Sequence, residues 1–75
     1  MKHPGYNDAK RMAGALAMAN PEKQALLYFD GRAVFVRLSD VAAPPDSTLI
    51  CVAQKWDDKV VKFTYLDGRE EWVKP

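Results

Sequence analysis

The chain has 75 residues, a formal net charge of +1, one cysteine and one histidine. That is one domain, and a chain this short buries only about 60–65% of the surface exposed when unfolded, so its margin of stability is thin. With 48% hydrophobic and 28% charged residues, wholesale disorder is excluded; the charge lacks the strong basic bias of proteins that hold DNA mainly through phosphates, and no apolar run approaches the roughly 20 residues of a membrane helix.

Residues 1–6 show no periodicity and contain Pro4 and Gly5. They read as a flexible arm. Lys2 is followed by no apolar signal core or cleavage site, so the chain is expected to be neither secreted nor inserted in a membrane. The lone Cys51 can form no internal disulfide, which fits a reducing, cytoplasmic compartment. It reads as a small buried hydrophobe.

A helix is expected over 7–20. Asn7 is its candidate N-cap, and Asp8 lies in the first turn, where a negative charge suits the helix dipole. Ala9, Met12, Ala13, Leu16 and Ala19 or Asn20 fall on one face. The alanines and Gly14 make a slim helix that can lie close to a sheet, with the glycine costing about 1 kcal/mol. Asn20-Pro21 marks the stop.

Residues 21–31 admit two readings. One is a second helix capped by Asn20, with Pro21 at its first position and Gly31 past its end. The other is a strand over 25–29 and a two-residue Asp30-Gly31 hairpin into 32–38. An internal echo favours the strand: YFDGRAVFV at 28–36 lines up with YLDGREEWV at 65–73. Val34, Val36 and Leu38 then alternate with Phe35 and Arg37, a strand pattern. Residues 39–48 hold Pro44-Pro45, which cannot sit in a central strand. They form the long loop, a plain connector or a place where small barrels bind.

Residues 49–73 read as a three-stranded meander. A two-residue Asp67-Gly68 turn sets Phe63 opposite Trp72, Thr64 opposite Glu71 and Tyr65 opposite Glu70. A two-residue Asp57-Asp58 turn sets Ile50 opposite Tyr65, Val52 opposite Phe63 and Gln54 opposite Val61. The expected core face is Ile50, Val52, Val61, Phe63, Tyr65 and Trp72. Leu49, Cys51 and Ala53 lie on the other face, which is too apolar for open water. The helix is its obvious cover.

Catalytic chemistry finds little support. His3 lies in the arm without a fixed partner, and a general base must stand within hydrogen-bond reach of its proton. No second histidine or cysteine is spaced to complete a metal site. Asp30, Asp57, Asp58 and Asp67 fall in turns, where aspartate is favoured for local hydrogen bonding. Ser39, Ser47 and Thr48 have no histidine to activate them. No enzyme, catalytic residue, cofactor or metal is expected.

The aromatics Trp56, Phe63, Tyr65 and Trp72 crowd one third of the chain. They read either as a cage or stacking platform or as core. Phe63 and Trp72 suit the core. Trp56, beside a turn, suits an exposed interface anchor, with Tyr65 next. Lys55, Lys59 and Lys62 gather near the same turn. Their neighbouring acids make a solvated face the plain reading.

The run VAQKWDDKVVKFTYLDGREEWV resembles the strands of small SH3-like barrels, the Tudor type in particular. The matching residues are Trp56, Asp57, Asp58, Val61, Phe63, Tyr65, Asp67, Gly68 and Val73. The resemblance spans about a third of the chain. It implies a curled or closed sheet that removes its own edges. The N-terminal helix departs from that family's minimal pattern.

Together these readings predict a single α+β domain over 1–75. An N-terminal α-helix packs on a curled four- to five-stranded antiparallel sheet, closed as an SH3-like barrel. Its strands lie near 25–29, 32–38, 48–56, 60–66 and 69–73. The expected function is a small non-enzymatic protein-binding module, a stand-alone adaptor or an inhibitor of the type encoded by phages and mobile elements. The alternative is a nucleic-acid-binding small barrel. In either case Trp56, Lys55, Lys59, Lys62 and Tyr65 are the candidate contacts. A homodimer through a free sheet edge or the alanine-rich helix is a further arrangement.

Overall fold

Five strands follow Pro21. The computed structural model describes residues 5–75. Helix α1 (Tyr6–Ala19) precedes β1 (Ala25–Phe29), β2 (Val34–Leu38), β3 (Thr48–Lys55), β4 (Val61–Tyr65) and β5 (Glu70–Val73). The strand reading of 25–29 holds. The sheet is antiparallel throughout, in the order β2-β1-β3-β4-β5. It does not close into the expected barrel. β1 pairs with both β2 and β3, which leaves β2 and β5 as edges on opposite sides. Among the described residues no helix is long and apolar enough to cross a membrane.

The helix starts earlier than expected. Gly5, at φ 75°, is its N-cap, and the Ala9 N–H donates to the Gly5 carbonyl at 2.9 Å. Asn7 therefore sits inside the first turn and does not cap it. Gly5 and Tyr6 belong to this helix start, while the rest of the expected arm, His3 included, lies outside the described residues. At the far end both the backbone N–H and the side-chain amide of Asn20 donate to the Leu16 carbonyl, at 3.0 and 2.9 Å.

The buried seam of α1 is Ala9, Ala13, Gly14 and Ala17. Met12, expected on that face, is 57% exposed, and Ala19 is exposed too. The helix is rotated so that its smallest side chains meet the sheet, because a close-packed interface has no room for a methionine there. Beneath the seam lie Ala25, Leu27, Cys51, Ala53, Val61 and Phe63. Full burial of Leu27, Val61 and Phe63 contributes about 1.5–3 kcal/mol each. α1 thus covers Cys51 and Ala53 as expected, but Leu49, expected with them, falls on the open face because the β1–β3 register shifts at Ile50.

Both meander registers differ by one residue from expectation. Cys51 stands opposite Tyr65 and Ala53 opposite Phe63; Phe63 stands opposite Glu71, and Lys62 opposite Trp72. The loops are the cause. The β4–β5 loop has three residues, 66–68, not two. Gly68 donates to the Tyr65 carbonyl at 3.0 Å and Tyr65 donates to the Arg69 carbonyl at 2.9 Å. Gly68 adopts φ 89°, the left-handed residue that a three-residue hairpin loop needs. At the β3–β4 turn the N–H groups of Trp56 and Asp57 both donate to the Val60 carbonyl, at 2.9 and 3.2 Å. A one-residue slip moves side chains to the opposite face. Val61, Phe63 and Tyr65 lie under the helix on the same face as Cys51 and Ala53, which the expected register sets on the opposite face. Val52 and Trp72 leave the expected core for the other face. Ile50 falls where the β1–β3 register shifts, between Leu27 and Tyr28, and packs against the core from its margin.

The echoed segments share one local device. The Oδ1 of Asp30 accepts from the Arg32 N–H at 2.8 Å and that of Asp67 from the Arg69 N–H at 2.9 Å. Asp57 does the same for Lys59 at 2.8 Å. These aspartates are turn residues, held by local hydrogen bonding. The first hairpin centres on Gly31-Arg32, with the Asp30 N–H on the Ala33 carbonyl at 3.3 Å.

Gly14 tests the closeness of the helix. A Cβ built there would meet Pro75 Cβ at 3.5 Å and Phe63 Cζ at 3.9 Å, ordinary contact distances. Gly14→Ala is therefore expected to raise unfolding stability by about 0.5–1 kcal/mol through helix propensity. Urea melts of the two proteins check this; a loss of stability would mean that the helix lies too close for a methyl group.

Candidate functional site

Alternation from the buried residues puts a second set of side chains on the face away from α1. Cross-strand neighbours there form rows: Phe35, Tyr28 and Leu49; then Arg37, Leu26, Val52, Thr64 and Glu70; then Gln54, Lys62 and Trp72. Among the described residues no helix packs on this face. At its β3–β5 end stand two tryptophans. Trp56 is 58% exposed and Trp72 50% exposed.

The two indoles meet edge to face, with ring centroids 6.0 Å apart and planes at 80°. The Lys62 ammonium lies 5.0 Å above the Trp56 ring and 3.2 Å from the Glu70 carboxylate. The order β5–β4–β3 explains this grouping. Lys62 is the direct cross-strand partner of Trp72, and Trp56 leaves the end of β3 with its N–H fixed on Val60. Edge-to-face aromatic pairs contribute about 0.5–1.5 kcal/mol beyond area burial, and an exposed cation over an indole about 0.5–1 kcal/mol. The rings are thus held in place while still open to contact.

Of the residues expected to bind, Trp56 and Lys62 come together. Lys55 sits at the strand end opposite Val61, 3.7 Å from the Asp58 carboxylate. Lys59 is exposed in the turn. Tyr65 is on the other face, against α1. Its hydroxyl lies 3.1 Å from that of Tyr6 and donates to Glu71 Oε1 at 3.1 Å, while the Arg69 guanidinium covers its ring at 4.3 Å. Phe63 is buried beside it. The four aromatics therefore do not converge into one cage: two lie under the helix and two lie on the open face. Trp72, read from sequence as core, is half of the exposed pair. The clue to it was Gly68, which serves as the last residue of a three-residue loop.

Charge around Tyr65 ties α1 to β5. The Lys10 ammonium bonds the Glu71 carboxylate and also lies 5.1 Å from the centre of the Phe63 ring. The Lys10 hydrogen bond, ahead of that from Tyr65, holds the Glu71 carboxyl below its ordinary 4.5. Burial first, then the Tyr6 hydroxyl, pushes the Tyr65 phenol up, so it stays a neutral donor. Burial pushes the Cys51 thiol up to about 11. It is therefore a protonated core residue at neutral pH, not a nucleophile.

A cleft of about 390 Å³ opens between α1 and β4–β5, with Lys10, Gly14, Phe63 and Val73 in its wall. Its cations are already engaged, Lys10 with Glu71 and Arg11 with Asp8. Among the described residues no three His, Cys, Asp or Glu side chains gather to hold a metal. No protein-family model matches this chain, no curated protein matches it, and no solved structure matches its fold.

Glu71 gives the fold a dependence on acid. A carboxyl held below its ordinary value stabilises the fold above that value, and the contribution disappears as pH falls through the folded value. Glu71→Gln is expected to cost about 0.2–1 kcal/mol at neutral pH, the range of a surface ion pair. It should cost nothing once the native carboxyl is protonated. Denaturant melts of both proteins from neutral to acid pH check this; parallel pH profiles would show that the Lys10–Glu71 pair contributes nothing.

Proposed function

We propose that this chain is a small non-enzymatic protein-binding module that docks a partner protein through the Trp56–Trp72 end of its open sheet face. The observation that carries the reading is the tryptophan pair itself: both residues at least half exposed and set edge to face, Trp72 on β5 and Trp56 just past the end of β3. Exposed tryptophans held rigid in this way suit binding hot spots, because little side-chain freedom is lost on contact. An adaptor and an inhibitor would both use such a surface. The likeness of 52–73 to SH3-like strands enters the proposal only as a model of how a small sheet can bind through aromatic side chains at strand ends. The buried, protonated Cys51 fits a reducing, cytoplasmic setting.

The electrostatics favour a protein over a nucleic acid. Lys62, whose ammonium lies over the Trp56 ring, stands 3.2 Å from the Glu70 carboxylate, and Lys55, on the helix face of the same strand end, stands 3.7 Å from Asp58. The cation that touches the tryptophan pair is therefore offset by a carboxylate, whereas phosphate binding draws on uncancelled lysine and arginine.

The experiment is affinity capture from lysate with the wild type and with Trp56→Ala, Trp72→Ala and Leu66→Ala, each checked for folding by circular dichroism. Leu66 is an exposed residue of the β4–β5 loop and serves as the control. The expected result is one partner retained by wild type and Leu66→Ala and bound about 30-fold more weakly by each tryptophan variant, the size of a hot-spot truncation. A partner that ignores both tryptophan changes would refute the site. Oligonucleotide binding that falls steeply with salt and vanishes in Trp56→Ala would replace the protein-binding reading with the nucleic-acid one.

A further inference from the structure

The two sheet edges are not equivalent, and the difference points to a second copy of this chain. In an antiparallel ladder, alternate residues turn both their N–H and C=O away from the neighbouring strand. On β2 the inward residues are fixed by two bonds to β1: the Ser39 N–H to the Gln24 carbonyl at 2.8 Å, and the Asp30 N–H to the Ala33 carbonyl at 3.3 Å. By alternation Phe35 and Arg37 also face β1. Val34, Val36 and Leu38 face outward. The side-chain contacts agree, for the Val36 carbonyl accepts a hydrogen bond from the Arg37 guanidinium at 3.0 Å rather than from a strand. The Leu38 carbonyl accepts from the Val41 N–H at 3.0 Å. Among the described residues no backbone bond from beyond β1 reaches Val34 or Val36.

Exposed edges are commonly guarded by charge, proline or a bulge. β5 is guarded: it reads Glu-Glu-Trp-Val and is followed by Lys74 and Pro75. β2 reads Val-Phe-Val-Arg-Leu, with strong strand formers and one charge. Beside it, against α1, runs a groove lined by Ala9, Met12, Val34 and Val36, where Met12 is the exposed methionine of the helix.

We propose that two copies of this chain join through β2, each β2 pairing antiparallel with the other about a two-fold axis at Val36. Full overlap of the strands sets Val36 against Val36 of the second copy and Val34 against its Leu38. On the open face it sets Phe35 against Arg37 of the second copy, and the dyad repeats that pair. Arg37 already lies 5.6 Å from its own Phe35 ring, so the guanidinium passes from one phenyl ring to another. No like charges stand opposite, and apolar residues meet apolar residues on the helix side. The strand is thus complementary to itself, which an isologous interface requires. The two sheets become one, and the two helices with their Met12 side chains approach across the join. This surface is separate from the Trp56–Trp72 end.

The test is the mass of the full chain by light scattering and sedimentation over a range of concentrations, with residue-by-residue amide exchange at the two extremes. The expected result is a dimer at high concentration in which the Val34 and Val36 amides become protected, while Phe35 and Arg37 are protected at every concentration. Phe35→Lys places like charges across the join in both copies and is expected to weaken the dimer by about tenfold or more. Val36→Pro removes an outward N–H without touching the ladder to β1 and is expected to abolish it. A monomer throughout overturns the proposal. So does a dimer whose Val34 and Val36 amides exchange as fast as in the monomer, one lost with Trp56→Ala but not with Phe35→Lys, or a mass that grows without limit, which signals head-to-tail pairing of β2 with β5.

Discussion

The rest of the structure depends on a seam in which both partners are small. On the helix side it is Ala9, Ala13 and Ala17, and on the sheet side Ala25, Cys51 and Ala53. Methyl-sized groups on both surfaces let the helix backbone come close to the sheet, and larger residues fill the space to either side: Leu27, Val61 and Phe63 below, Tyr6, Leu16 and Met18 at the flanks. One helix is then enough to cover the middle of the sheet. It reaches β1, β2, β3 and β4 and leaves the second face without a layer. α1 is the only helix among the described residues, and no other packs on that face among them. The open face and the open edge both follow from that.

The loops decide what the open face carries. Three residues rather than two between β4 and β5, made feasible by the left-handed Gly68, move Trp72 from the helix side to the outside. There it lies directly across from Lys62. The β3–β4 turn has the same effect on Val52 and frees Trp56 at the end of its strand. The tryptophan pair is thus a product of turn geometry, while the aromatics that remain under the helix, Phe63 and Tyr65, are tied into packing and into the Tyr6–Glu71–Lys10 network.

Two kinds of surface are left over, and they differ in physics. The Trp56–Trp72 end offers ring area beside Lys62, whose charge is offset by Glu70. The β2 edge offers backbone donors and acceptors, which suit another strand. β5 carries two glutamates and is far less suited to such pairing. The sheet does not close because β2 and β5 do not pair with each other, so the edges that a barrel would have removed remain as features of the molecule.

The sequence by itself determined the elements. Alternation marked Val34–Leu38 and the first two strands of the meander, the echo of YFDGRAVFV with YLDGREEWV favoured a strand over 25–29, the run of alanines marked the helix, and Asp30, Asp57 and Asp67 marked the turns they hold. It also pointed to α1 as the cover for the Leu49, Cys51 and Ala53 face, because an apolar strand face without cover is unfavourable, and this holds for Cys51 and Ala53. What only the tertiary structure decided is which face each of the other side chains joined. An Asp-Gly pair is compatible with loops of two or three residues, and a one-residue difference exchanges the two faces of the strand that follows. Likewise the rotation of α1, with Met12 outside and Ala17 inside, follows from the space the sheet leaves and not from helical spacing, which allows both. Closure depended on whether the end strands β2 and β5 would meet, a long-range pairing with no signature in local sequence.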